Sequence, residues 1–341
     1  MRATILKDVS LLCFSFVHGL FDSQSGFDVI RYFCDLLSER PIPRFTLPPD
    51  TTGIRMSDRL RVPEDCELES QKPPRAMFVT RKIGLLRAKG YFMLAKMLES
   101  LGLSEKITHR LVHLSRPWVD EVRRKAQKEL ESAAGSTVQL TNTDIIAALY
   151  LKMFYRPRPL SQKPVDVIGP LNYRSFLEPV EASTYYTHNS IICLRCQLSE
   201  QQVQTESIAR VAEKIRRATL EYNRPTAIKR ELRSIEDRVL APAVPKIRGS
   251  LKWGVPCVAP WTSFDYASLD FSGASHRDRK PSVVFVHPDI SLIGGSPSSP
   301  FLVTVKDGSG GYWLRAGNTT SGWEAFDHCT SLKTLFCAID K

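Results

Sequence analysis

Between Val9 and Val17 the chain reads VSLLCFSFV, an apolar run broken only by Ser10 and Ser15. A strand with one wet face would alternate apolar and polar residues, so this run predicts a strand buried on both faces. It is far shorter than the roughly 18 apolar residues that a bilayer span needs. Arg2 and Lys7 ahead of it imitate a secretory leader. No small-residue cleavage site follows, however, and His18 and Asp22 close the run with polar groups instead. The stretch His18-Gly-Leu-Phe-Asp22 therefore puts an imidazole at the lip of a sheet, where it can meet a substrate. Asp22, four residues on, is expected to point back into the protein and to need an arginine partner, because an unpaired buried carboxylate is costly.

A helix follows the strand. Apolar residues at Phe27, Ile30, Phe33, Cys34 and Leu37 share one helical face. Prolines then crowd from Arg40 to Pro74 and no period survives, which predicts a long crossing connection. An apolar helix is expected from about Leu85 to Leu101, then a strand-like THRLVHLS and a charged helix from Trp118 to Glu131 signalled by Ser115 and Pro117. Thr141 or Asn142 can cap the next helix, with Asp144 in its first turn. VDVIGPLNYRSFL and THNSIICLRCQLSEQQ predict strands, the second running into a helix at Ser199 through the capping box Ser199-Glu-Gln-Gln202. Helical pattern continues to about Leu240. From Trp253 onward short β-like runs (VVFV, PFLVTV, GYWLRAG) precede a closing helix from about Trp323. Irregular alternation of strands and helices predicts a mixed α/β or α+β sandwich.

The 341 residues are 43% apolar and 24% charged, ordinary values for a globular chain. The net charge of +11 comes from scattered Lys and Arg rather than a basic stripe interleaved with aromatics, so no nucleic-acid partner is expected. Eight cysteines, several inside apolar segments, suit free thiols in a reducing, cytoplasmic setting. Cys193 and Cys196 form a C-x-x-C in a predicted strand, where positions i and i+3 face opposite ways; no metal is expected there.

Four segments, taken in order, are similar to the motifs of one family. FVHGLFD resembles its H-x-x-x-D, and LTNTDIIAALYLKMF its S-T-N-D helix start. LNYRSFL followed by THNSI resembles its N-x-R-x-R and G-N-x elements, and WTSFDYASLDFSGA its T-S-W segment running into D-F-G-W-G. On these residues the chain resembles the BAHD acyltransferases, CoA-dependent enzymes with the chloramphenicol acetyltransferase fold, in a spelling close to fungal secondary-metabolism members. Phe264 stands where that family has the Trp of T-S-W, and Ser272 and Ala274 replace Gly and Trp of D-F-G-W-G.

The resemblance implies acyl-CoA as co-substrate, no metal, and a hydroxyl or amine of a small-molecule acceptor, in a monomer with no membrane span. It implies His18 as the catalytic general base, with Asp22 and Arg174 as structural support of its loop. Thr262 is implied as an oxyanion donor, and Asp270, Phe271 and Gly273 as a D-F-G-W-G-like loop away from the reacting atoms. Family members reach their H-x-x-x-D only after most of an N-terminal lobe. The expected organisation is thus a remnant of that lobe over 1–40, a Pro-rich crossover and apolar helix over 41–107, and the C-terminal lobe over 108–341. The alternatives are a truncated or degenerate paralogue without turnover, and a condensation-type domain, which shares the fold but carries two adjacent histidines; here Val17 precedes His18.

Overall fold

Along Phe301–Lys306 successive side chains go to opposite faces of a sheet: Leu302 joins one apolar cluster, while Val303 and Val305 join another. A strand that feeds two cores must be covered on both sides, and this one is. In the computed structural model the described residues are 1–18, 20–46, 55–62, 78–80, 93–94, 97–98, 100–102, 107–132, 138–177, 184–186, 188–239, 243–245, 255–275, 281–288 and 300–328.

In chain order the elements are β1 (Arg2–Ile5), β2 (Ser10–Cys13), α1 (Ser23–Leu37), β3 (Arg44–Thr46), β4 (Phe78–Thr80) and β5 (Ile107–Leu114). Next come α2 (Arg116–Ser132), α3 (Asn142–Tyr155), β6 (Pro164–Asn172), β7 (Thr184–Tyr186), β8 (Ile191–Ser199), α4 (Glu200–Thr205) and α5 (Ile208–Tyr222). The last are α6 (Pro225–Val239), β9 (Ala243–Pro245), β10 (Cys257–Pro260), β11 (Phe301–Lys306), β12 (Tyr312–Thr319) and α7 (Thr320–His328).

Among the described residues the main sheet has six strands, in the order β5-β12-β11-β10-β6-β8. β10 is parallel to both β11 and β6, and the other pairs are antiparallel. Residues of α2, α3, α5 and α7 make the larger core with one face: Leu130, Ile146, Leu149, Phe154, Ala212 and Trp323 pack there with Val165, Val167 and Leu314. On the other face α1 brings Phe27 and Cys34 against Phe264, Tyr266, Val303 and Val305. Phe27 stacks on Phe264 at 5.5 Å and meets Tyr266 edge-on at 5.0 Å. A third cluster, Leu60, Tyr173, Ile192, Ile228 and Leu232, seals the β8 side under α6.

Register fixes which loops share an edge. Cys257 is opposite Ile168 in the parallel β10–β6 pair, and Asn172 is opposite Ile191 in the antiparallel β6–β8 pair. The residues after β6, those before β8 and those after β10 therefore leave the sheet at one edge, the carboxyl end of its parallel strands. α3 runs back against β6 and presents its N-terminus at the same edge, as its contact with the turn after β10 shows.

Two expectations need correction. The run Val9–Val17 is not a strand buried on both faces. Only Ser10–Cys13 is a strand, paired antiparallel with Arg2–Ile5, and every residue of this hairpin is exposed. Ile5 is 82% and Leu11 56% exposed. Contact with α1 begins at the half-buried Phe14, which meets Phe33 edge-on at 5.9 Å; Phe16, still 39% exposed, lies over Gly26 and Phe21. An apolar sequence makes burial favourable but does not supply the covering surface. The run VVFV (283–286) also is not a strand: among the described residues 281–288 pair with no strand, and they lie beside β11 and Trp313. The apolar helix expected over Leu85–Leu101 falls mostly outside the described residues; of its span, Met93, Leu94, Met97 and Leu101 are exposed.

Candidate active site

Asp22 does two jobs at once. Its Oδ1 accepts from the backbone N–H of Ser25 at 2.9 Å, which caps α1, and from the Ser25 hydroxyl at 3.0 Å. The same carboxylate receives the Arg174 guanidinium on both oxygens, at 3.0 Å to Oδ1 and 2.8 Å to Oδ2, and the Ser190 N–H at 2.7 Å. Asp22 is only 5% exposed. Burial alone would raise its pKa, but the bonds from Arg174, Ser190 and Ser25 and the charge of Arg174 outweigh that and hold it below the ordinary carboxylate value.

Arg174 itself is fixed. It opens a short 3-10 turn after β6, its backbone N–H donates to Asn172 Oδ1 at 2.9 Å, and its guanidinium also donates to the Ser25 hydroxyl and to the His188 carbonyl. A planar fork with five donors suits this set, which a lysine could not fill.

His18 begins the turn between the aromatic anchor of Phe16 and the capped start of α1. The Val17 carbonyl accepts from the N–H groups of Leu20 at 2.9 Å and Phe21 at 3.1 Å. Asn189, from the other side, donates its backbone N–H to the Leu20 carbonyl at 3.1 Å and its side-chain amide to the His18 carbonyl at 3.1 Å. The His18 residue is exposed, at the sheet edge where the loops after β6 and β10 emerge. Thr262 sits half-buried in the turn after β10, its hydroxyl 3.3 Å from that of Thr143 in the first turn of α3. His18, Asp22, Arg174 and Thr262 thus belong to one edge.

The remaining matched residues do not. Asp270 is held by Arg40 at 3.1 Å, and Phe271 packs on the α1-side core. Gly273 stands so close to the last turn of α1 that a Cβ there would lie 1.9 Å from the Leu37 carbonyl oxygen, so only glycine fits. The 15 residues of α1 separate this loop from Asp22 by about 22 Å at 1.5 Å per residue.

Sequence reasoning assigned no role to Ser25, Thr143, Asn189 or Ser190. Three carried a readable signal: Ser25 follows a helix-capping Asp by three residues, and Asn189 and Ser190 lie in THNSI, the segment similar to the family's G-N-x element. Of the other histidines, His113 lies in β5 with Nε2 2.8 Å from Asp307, and His188 contributes its carbonyl to Arg174 and, at 3.0 Å, to the Ser190 hydroxyl. Among the described residues no group of three or more His, Cys, Asp or Glu is placed to hold a metal ion.

Comparison with known proteins bears on this edge. An acetyltransferase of Penicillium patulum, peniE, is 37% identical over an alignment of 365 positions that covers 98% of this chain and 74% of the relative. The chain belongs to the BAHD-type acyltransferases. No protein-family model matches it. Among solved structures, F. sporotrichioides TRI101 complexed with coenzyme A and T-2 superimposes with a TM-score of 0.60 at 12% identity, over 93% of this chain and 64% of that one. F. graminearum TRI101 with ethyl coenzyme A gives 0.58 at 11%, over 93% and 64%. The chain therefore has the chloramphenicol acetyltransferase-like fold and spans just under two thirds of the length of those solved relatives.

Proposed function

We propose that this chain transfers an acyl group from acyl-CoA to a hydroxyl or amine of a small-molecule acceptor, with His18 as the general base. The observation that carries the reading is the exposed His18 at the carboxyl edge of the parallel strands, on a loop tied down by Asp22, Arg174 and Asn189. The identity to an acetyltransferase supports an acetyl donor. In this reading the imidazole takes the acceptor proton as its oxygen or nitrogen attacks the thioester carbon. A tetrahedral oxyanion forms, toward which Thr262 donates its hydroxyl. Collapse breaks the carbon–sulfur bond, the imidazolium returns the proton to the departing thiolate, and ester or amide and free CoA leave. Asp22 and Arg174 hold the loop and take no part in proton transfer, and Asp270, Phe271 and Gly273 hold the far end of α1. The described free cysteines, Cys13, Cys34, Cys193, Cys196 and Cys257, favour a cytoplasmic setting.

The test is thiol release from acetyl-CoA by the purified chain with a panel of hydroxylated and amine acceptors, comparing wild type with His18→Ala. A rate loss on the order of 10²–10⁴ with an unshifted melt is expected for His18→Ala. His113→Ala should instead lower the melting temperature and leave the rate alone. Wild-type turnover by His18→Ala would remove the base from this residue. A second reading, a paralogue that binds ligand without turnover, draws on the hairpin that leads to His18, exposed along its whole length, because acyl transfer needs a site walled off from water. CoA binding without thiol release from any acceptor would select it.

A further inference from the structure

We propose that Asn189 is a positioning residue that sets where the His18 imidazole stands; this rests on the reading of His18 as the base. Two bonds from Asn189 reach the short turn that carries His18, one to the Leu20 carbonyl from its backbone and one to the His18 carbonyl from its side chain. Together with the Val17 carbonyl, which takes the N–H groups of Leu20 and Phe21, they engage the carbonyls of residues 17, 18 and 20. Among the described residues the turn pairs with no strand, and the hairpin before it is exposed, so these bonds supply order that strand pairing does not.

Asn189 is itself clamped on both sides. The His188 carbonyl accepts from Arg174 and from the Ser190 hydroxyl, and the Ser190 N–H ends on Asp22. Residues 188–190 thus form a rigid bridge from the Asp22–Arg174 pair to the backbone of His18. The side chain must be an amide of this length. Asparagine offers an N–H to the His18 carbonyl, whereas aspartate would present an oxygen to an oxygen. The amide cannot be turned over without the same clash, since Oδ1 would then meet the carbonyl. Moving a catalytic group by about 1 Å can cost roughly 100-fold in rate, which is the scale on which such a bond acts.

Asn189→Asp and Asn189→Ala in the full chain test this, with acetyl-CoA as donor and an acceptor that gives turnover. Both should lose about 10–100-fold in kcat with KM for acetyl-CoA and the melting temperature unchanged. In a His18→Ala background the second substitution should cost nothing further, because the base through which Asn189 acts is gone. Hydrogen exchange at the Leu20 and Phe21 amides, which requires no acceptor, should be faster in both variants. Wild-type kcat in Asn189→Asp, the full loss repeated in the His18→Ala background, or unchanged exchange at residues 20 and 21 would each overturn the proposal. If His18→Ala is inactive while Asn189→Asp turns over normally, the positioning role fails and the base stands. Wild-type turnover by His18→Ala sinks both.

Discussion

Two helices begin at the same sheet edge, each with a buried aspartate in its opening, and the two carboxylates are pulled in opposite directions. Asp22 caps α1 and is 5% exposed; Asp144 is the third residue of α3 and is 4% exposed. Each accepts the hydroxyl and backbone bonds expected at a helix start: Asp144 takes Thr141 N–H at 2.8 Å and Thr141 Oγ1 at 2.6 Å. Burial raises the pKa of Asp144 above the ordinary value even so, whereas Asp22 is lowered. The difference is the cation. Arg174 grips Asp22 at 2.8 Å, but the guanidinium nearest Asp144, Arg216, stands 4.0 Å away. α3 is buried almost all round and needs no tether, so a local capping box suffices. α1 touches only the smaller core, and its start is held to the sheet by charge.

The sharpest way to break this contrast is Asp22→Ala. It takes the carboxylate away from the Arg174 fork and leaves the α1 start uncapped, a loss on the order of 3–5 kcal/mol by chemical denaturation, with acyl transfer falling as the loop loosens. A loss under about 1 kcal/mol, the range of an exposed pair, would show that Arg174 does not anchor this loop. Asp144→Ala should cost about 1 kcal/mol or less, because losing the capping bonds is offset by relief of a desolvated charge.

Acid should separate the two aspartates by sign. Asp22 has its folded-state pKa below the unfolded value of about 3.9, so its contribution is intact above pH ~4 and is lost as pH falls through the folded value. Asp144 is raised, so its carboxylate costs stability above its folded pKa and that cost is relieved on acidification. Denaturation midpoints of wild type, Asp22→Asn and Asp144→Asn between pH 3 and 7 would show the wild-type advantage over Asp22→Asn shrinking toward acid, while wild type gains on Asp144→Asn. The same trend in both pairs would contradict the assignment of Arg174 as the deciding charge.

The smallest effect belongs to the α3 side of the edge. Thr143→Val removes a hydroxyl from beside Thr262 with little change in shape. A fall of about 5-fold in kcat, equivalent to one hydrogen bond of ~1 kcal/mol, is expected without a shift in melting. An unchanged kcat would leave Thr262 unsupported by its neighbour.

Much of this was legible in the sequence because it is local. Thr141 with Asp144, and Ser199 with Gln202, announce their helices through bonds three residues long, and both capping boxes are present. The strands Pro164–Asn172 and Ile191–Ser199 follow their apolar content, and His18 and Asp22 stand out as polar groups closing an apolar run. What residues 9–13 would touch was not legible, since the same apolar letters suit a buried strand and the exposed hairpin found. Nor was the role of Asn189: THNSI resembles a family element that carries an asparagine, but the partners of Asn189 lie 169 and 171 positions away, at Leu20 and His18. Near neighbours along the chain set the helix starts, the strands β5, β6, β8, β11 and β12 and the chemical kinds of group at the edge, though not β10, because hydrogen bonds over three or four residues and side-chain alternation are local. Which carbonyls Asn189 holds, and that Arg216 stops 4.0 Å short of Asp144, came from the fold, because they depend on how distant segments are brought to one edge by the parallel register of β6 and β10 and the start of β8.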